Sequence, residues 1–189
     1  MQADSAVELG RDDESLDLPW TSEEGPRYYE LKRDLRLLEK IPEAQNAALR
    51  DFLMTLNART SSFESAKCDT WTTNEINPEE DIFGLPWKFG SYVDLLFADD
   101  TARFSFESYE LWLKKMTALL QRAPDIPASA EFVLRRCRYH QSDSFREGFY
   151  VTFFLFGYGK DEDSARRQWE IALALVSHAM VQSVQNTLN

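Results

Sequence analysis

The sequence predicts an α+β fold: an antiparallel sheet of about four strands in a β-β-α-β-β-α order, preceded by an N-terminal helical pair. Two observations carry this expectation. Between 131 and 158, two β-rich runs flank His140-Gln141-Ser142-Asp143-Ser144 and lead into a long amphipathic stretch, and residues 91–123 follow the same order in shorter form. With 189 residues and 43% apolar content, the chain is long enough to bury one core, so 26–189 is expected to be a single domain.

The first 25 residues hold eight acids against Arg11 alone, with little apolar content before Trp20. Such a segment cannot offset its ordering entropy by burial, so 1–25 is predicted to be a disordered acidic tail. Leu16, Leu18 and Trp20, set among those acids, would serve as a linear motif that folds onto a basic partner.

A helical pair is predicted over 27–58. Tyr28, Leu31, Leu35 and Leu38 recur at helical spacing until Ile41-Pro42 interrupts them, and Pro42 then suits the first position of a second helix. In that helix Ala44, Ala48, Leu49, Phe52, Leu53 and Leu56 fall on one stripe. Residues 60–90 form a long aromatic connection with Trp71, Phe83, Trp87 and Phe89, in which Cys68 to Thr73 reads as a short edge strand.

From Ser91, alternating Val93, Leu95 and Phe97 precede Asp99-Asp100-Thr101, which reads as a hairpin turn into a strand from Ala102 to Phe106. Ser108 then caps a helix whose Tyr109, Trp112, Leu113, Met116, Leu119 and Leu120 form an apolar stripe ending before Pro124; this is the ββα unit 91–123. A second ββα unit spans 130–187. Its strand 147–158 is apolar on both faces, which predicts a central position covered on both sides, with the N-terminal helices on the second face or at an edge. The closing helix begins at Asp161-Glu162-Asp163, where acids complement the helix macrodipole.

Chemistry is sparse. No glycine-rich phosphate loop is present, and Gly157-Tyr158-Gly159-Lys160 reads as a strand exit. Cys68, Cys137, His140 and His178 are the only cysteines and histidines, and no local pair has zinc spacing, so neither metal nor cofactor is expected. Two free thiols, no long apolar run and the Met1-Gln2-Ala3-Asp4 start lead to the expectation of a soluble cytoplasmic protein.

The formal charge of −11 and pI near 4.7 disfavour nucleic acid as a partner. They favour a non-catalytic module that binds a protein, basic in character, through acidic and aromatic surfaces; Trp20, Trp71, Glu79, Glu80, Asp81 and Trp87 are the expected contacts. A homo-oligomer is also allowed. The alternative is a small-molecule binder or enzyme with an aromatic pocket. There Arg136, Arg138 and His140 would share one strand face and hold an anionic group, with Tyr150 and Tyr158 beside them.

Overall fold

Alternation in three long strands decides the architecture. In the computed structural model, which describes residues 1–10, 13–22, 25, 26, 28–75, 82–141 and 143–185, the chain forms an α+β fold with a mixed sheet of six strands. The elements in chain order are β1 (Gln2–Val7), β2 (Ser15–Leu18), the short ribbon β3 (Thr21–Ser22) and β4 (Gly25–Pro26), and 3-10 turns at Leu35–Lys40 and Pro42–Gln45. There follow α1 (Ala47–Leu56), β5 (Phe63–Thr73), β6 (Trp87–Phe97), α2 (Asp100–Arg103), α3 (Phe106–Leu120), β7 (Ala128–Gln141), β8 (Ser144–Gly159) and α4 (Glu162–Gln185).

The sheet runs β1-β7-β8-β6-β5, with β2 also on β7. β5, β6, β8 and β7 are antiparallel neighbours, whereas β1 and β2 lie parallel to β7. The expected four antiparallel strands are therefore six in a mixed sheet. The two additional strands come from the segment predicted to be a disordered tail. β1 and β2 form because β7 offers them a backbone edge, Leu16 and Leu18 are buried, and Arg135 reaches Glu8 and Glu14 at 2.9 and 3.1 Å.

Successive side chains on a strand point to opposite faces. Phe132 and Leu134 of β7, Val151, Phe153 and Leu155 of β8, and Val93 and Leu95 of β6 share the face that meets α1, α3 and α4. Helix α1 lies on this same face, with Phe52 6.0 Å from Phe153, and not on the second face or at an edge. It starts at Asn46, whose side chain accepts from the amides of Ala48 and Leu49, and presents Leu49, Phe52, Leu53 and Leu56 to the core. Buried Asn57 ties its end to β5: the amide of Ser65 donates to Asn57 Oδ1 at 3.0 Å, and Asn57 Nδ2 donates to Ser65 Oγ at 2.9 Å.

The central strand binds α4 closely. A Cβ at Gly157 would run into the carbonyl of Ala165 and the amide of Trp169, so glycine here lets helix and strand approach. Trp169, fully buried, donates from Nε1 to Ser91 Oγ at 2.8 Å. At the other end the Tyr109 hydroxyl stands between β6 and β8: the Phe97 amide donates to it at 3.1 Å and it donates to the Phe149 carbonyl at 2.8 Å.

Four further expectations are corrected. Residues 28–34 make no α-helix; Tyr28 packs on a second, smaller cluster while Leu31 and Leu38 enter the main core, a divergence no single helical stripe provides. Residues 102–106 make no strand. Asp99 caps α2, Phe104 packs on the smaller cluster and Phe106 on the main core, whereas a strand would send both to one face. The cap of α3 is consequently Ser105, not Ser108. In the long connection the strand is the 11-residue β5, longer than the predicted edge strand.

Candidate functional site

The second face of the sheet is covered unevenly. At the β7–β8 hairpin end, Leu16 and Leu18 of β2 pack with Leu96, Cys137, Tyr139 and Tyr150, joined by Tyr28 and Phe104. Beyond this small core, no helix among the described residues covers the face. Its centre carries Trp71 of β5, Tyr92 of β6, and Phe154 and Phe156 of β8, all partly buried. They form one ring system: Trp71 meets Phe156 edge-on at 6.0 Å, Tyr92 lies 6.1 Å from Phe154, and Phe154 stacks with Phe156 at 6.4 Å. Gly90, the register partner of Trp71, leaves space for the indole, which a Cβ there would strike. Lys88 Nζ stands 5.0 Å over the Phe156 ring. Asp4 and Glu131, register partners on β1 and β7, and Asp69 on β5 supply exposed acids at the rim.

A polar row crosses the same face beneath the rings. Thr152 Oγ1 donates to Asp94 Oδ1 at 2.8 Å, Arg135 donates to Thr152 at 3.3 Å, and Arg135 also grips Glu8 and Glu14. Burial pushes the Asp94 carboxyl up to about 7, against the pull of the Thr152 hydrogen bond and of Lys67.

Next to Tyr92 the sheet edge opens into a cleft of about 500 Å³. A register shift between Ser65 and Cys68 of β5 forms its floor, and Trp20, Tyr29 and Tyr92 form its aromatic walls. Lys67 Nζ sits 4.4 Å over the Trp20 ring, and Lys40 Nζ 5.9 Å over Tyr29. Glu43 and Asp69 also line it. Burial, reinforced by Glu43, Asp69 and Asp94, pushes the Cys68 thiol up to about 12, which leaves it protonated and weakly nucleophilic.

The residues singled out from sequence fall in different places. Trp20 lines the cleft and Trp71 lies on the aromatic face, but Trp87 packs against the main core on the opposite side of the sheet. Glu79, Glu80 and Asp81 lie outside the described residues. Arg136, Arg138 and His140 alternate onto the helix-bearing side of β7, with His140 3.3 Å from Asp17. Tyr150 and Tyr158 point to the other face, where Tyr150 is part of the small core and the Tyr158 hydroxyl lies 3.3 Å from Ser129 Oγ. The structure does not bring these five together into one pocket. Among the described residues, Arg136, Arg138 and Arg146 enter no ion pair; Arg146 instead lies 3.5 Å over the Phe104 ring. Nor do three His, Cys, Asp or Glu side chains gather among the described residues to hold a metal ion. No described helix is long and apolar enough to cross a membrane.

Tyr29, Glu43, Asp69, Tyr92, Phe154 and Phe156 were not singled out from sequence. The usable signal was the doubly apolar 149–156 run: its even positions carry the rings that the fold leaves half-open. Comparison with protein-family models, curated proteins and solved structures gives no match to this chain.

Proposed function

We propose that the chain is a non-catalytic protein-interaction module that docks a partner on the half-open aromatic face of its sheet. The observation that carries this reading is the cluster of Trp71, Tyr92, Phe154 and Phe156, partly exposed side by side on a face without a covering helix among the described residues. Contiguous exposed apolar surface marks interaction sites, and Trp and Tyr dominate binding energetics because they bury large area at low entropic cost. The rim of Asp4, Asp69 and Glu131 favours a partner with a basic border around an apolar centre. Two copies of this face would bring acidic rims together, which disfavours a homodimer here.

The test is affinity capture with the wild-type chain, with Trp71→Ala/Phe154→Ala, and with Leu111→Ala on exposed α3 as a control. A stoichiometric partner should lose at least about tenfold in affinity with the double variant, as expected for hot-spot truncation, and keep it with the control. Absence of a stoichiometric partner, or undiminished affinity in a folded double variant, overturns the reading.

A second reading, a small-molecule binder or enzyme, draws on the cleft beside Tyr92, whose volume lies in the range of ligand sites. Its cations are Lys40 and Lys67, not the arginines first considered. A small molecule that co-purifies and is lost in Tyr92→Ala, without any protein partner, would favour it.

A further inference from the structure

We propose that the cleft beside the β5 register shift is an anchor pocket for an arginine side chain carried by a basic segment of the docked partner. This rests on the docking reading above and names the chemistry of one contact within it. Three features of the cleft converge on a guanidinium. Its walls already attract cations: the chain's own Lys67 and Lys40 lie over Trp20 and Tyr29, the ring faces being electron-rich. The third ring, Tyr92, lies tilted against Phe154 and carries no cation among the described residues.

Beside that ring the cleft is lined by the carboxylates of Asp69 and Glu43. Burial first, and then nearby carboxylates, raise both the Tyr92 hydroxyl and the neighbouring Cys68 thiol, and Asp69 acts on the two alike. Neither Glu43 nor Asp69 enters an ion pair among the described residues, and Asp69 is engaged only by the amide of Thr70 at 2.7 Å. A guanidinium matches both demands at once. Its planar fork pairs bidentately with a carboxylate while its flat face stacks on an aromatic ring, whereas a lysine ammonium meets a carboxylate or a ring only as a point charge. Lys40 and Lys67 oppose any incoming cation, but each is drawn to a ring, and Lys67 also faces Asp94. Tyr92, Asp69 and Glu43 are the lining residues left to receive a cation among the described residues. Arginine is also the charged residue most often found as an interface hot spot, seated in such pockets.

The experiment is an NMR titration of the full chain with two capped pentapeptides, Gly-Gly-Arg-Gly-Gly and the same sequence with citrulline, which keeps shape and removes charge. The arginine peptide should shift the Trp20 indole N–H and the Tyr92 and Asp69 amides, and bind about tenfold more tightly than the citrulline peptide, the size of one charge-assisted hydrogen bond. The double variant Glu43→Gln/Asp69→Asn should abolish that preference, while Trp71→Ala/Phe154→Ala should leave it intact. Equal shifts from both peptides, or an arginine preference that survives the Glu43/Asp69 variant, overturns the anchor. The docking reading fails separately: a partner lost with Trp71→Ala/Phe154→Ala but bound at full affinity by the Glu43/Asp69 variant removes the anchor and leaves the docking face standing.

Discussion

Asp94 sits in the middle of a sheet face, hydrogen-bonded by Thr152, with Lys67, Glu14 and Arg135 as its charged neighbours. Its carboxyl ionises near the usual value in the unfolded chain but holds its proton to about 7 in the fold, because burial penalises the charged form. The sign follows directly. The contribution to stability is fully present below the unfolded pKa, declines as pH rises from about 4 to about 7, and is flat above that. Asp94→Asn cannot ionise, so it should be more stable than the wild type at pH 8, by up to about 4 kcal/mol for a shift of this size. The advantage should shrink toward zero near pH 4. Urea denaturation of both proteins at three pH values checks this, and a difference that does not change with pH would sink it.

Between β8 and α4, the contact at Gly157 sets how closely helix and sheet approach. Gly157→Ala should destabilise by about 1–3 kcal/mol, as overpacking does, because the added methyl meets backbone and not a movable side chain. A variant with an unchanged denaturation midpoint would remove the argument. The elements visible in the sequence are those whose periodicity survives in one dimension: the alternation at 131–140 and 149–156, and the stripes of Tyr109, Trp112, Leu113 and Met116 in α3 and of Ala165, Trp169, Ala172 and Val176 in α4. What stayed hidden depends on distant partners. Gln2–Val7 is polar and mostly exposed, and it becomes a strand only because β7 supplies hydrogen bonds and Arg135 neutralises Glu8 and Glu14. Leu31 and Leu38 keep helical spacing, yet the chain there turns so that Lys32 Nζ can donate to the carbonyls of Ala58, Ser61 and Phe63 at 3.0, 2.6 and 2.9 Å.

All the long helices lie on one side of the sheet, so the molecule has a closed face and an aromatic one. A sequence can mark Phe154 and Phe156 as apolar, but whether they meet a helix depends on where α1 docks, and α1 chose the other face. Trp20 and Trp71 could be named in advance. Their neighbours Tyr92, Glu43 and Asp69 could not, since they are brought alongside by the β5–β6 register and by the turn at Pro42. With a net charge of −11 and acids at the rim, association with a basic partner should be steered by charge. The association rate should therefore fall roughly tenfold from low to physiological salt while dissociation changes little. A salt-independent association rate, measured by surface plasmon resonance or stopped flow, would count against a basic-rimmed partner.

The parallel edge of the sheet has a consequence for synthesis. Ser15 and the Arg136 carbonyl it bonds are separated by 121 residues, so β1 and β2 leave the ribosome long before the strand they pair with exists. At about 5–20 residues per second that interval is roughly 6–24 s. Throughout it, β1 and β2 wait without their template, while β5 and β6, adjacent in sequence, already have theirs. Its acids, of which Arg135 holds Glu8 and Glu14 in the finished fold, repel one another during the wait and oppose collapse until β7 emerges to receive the segment.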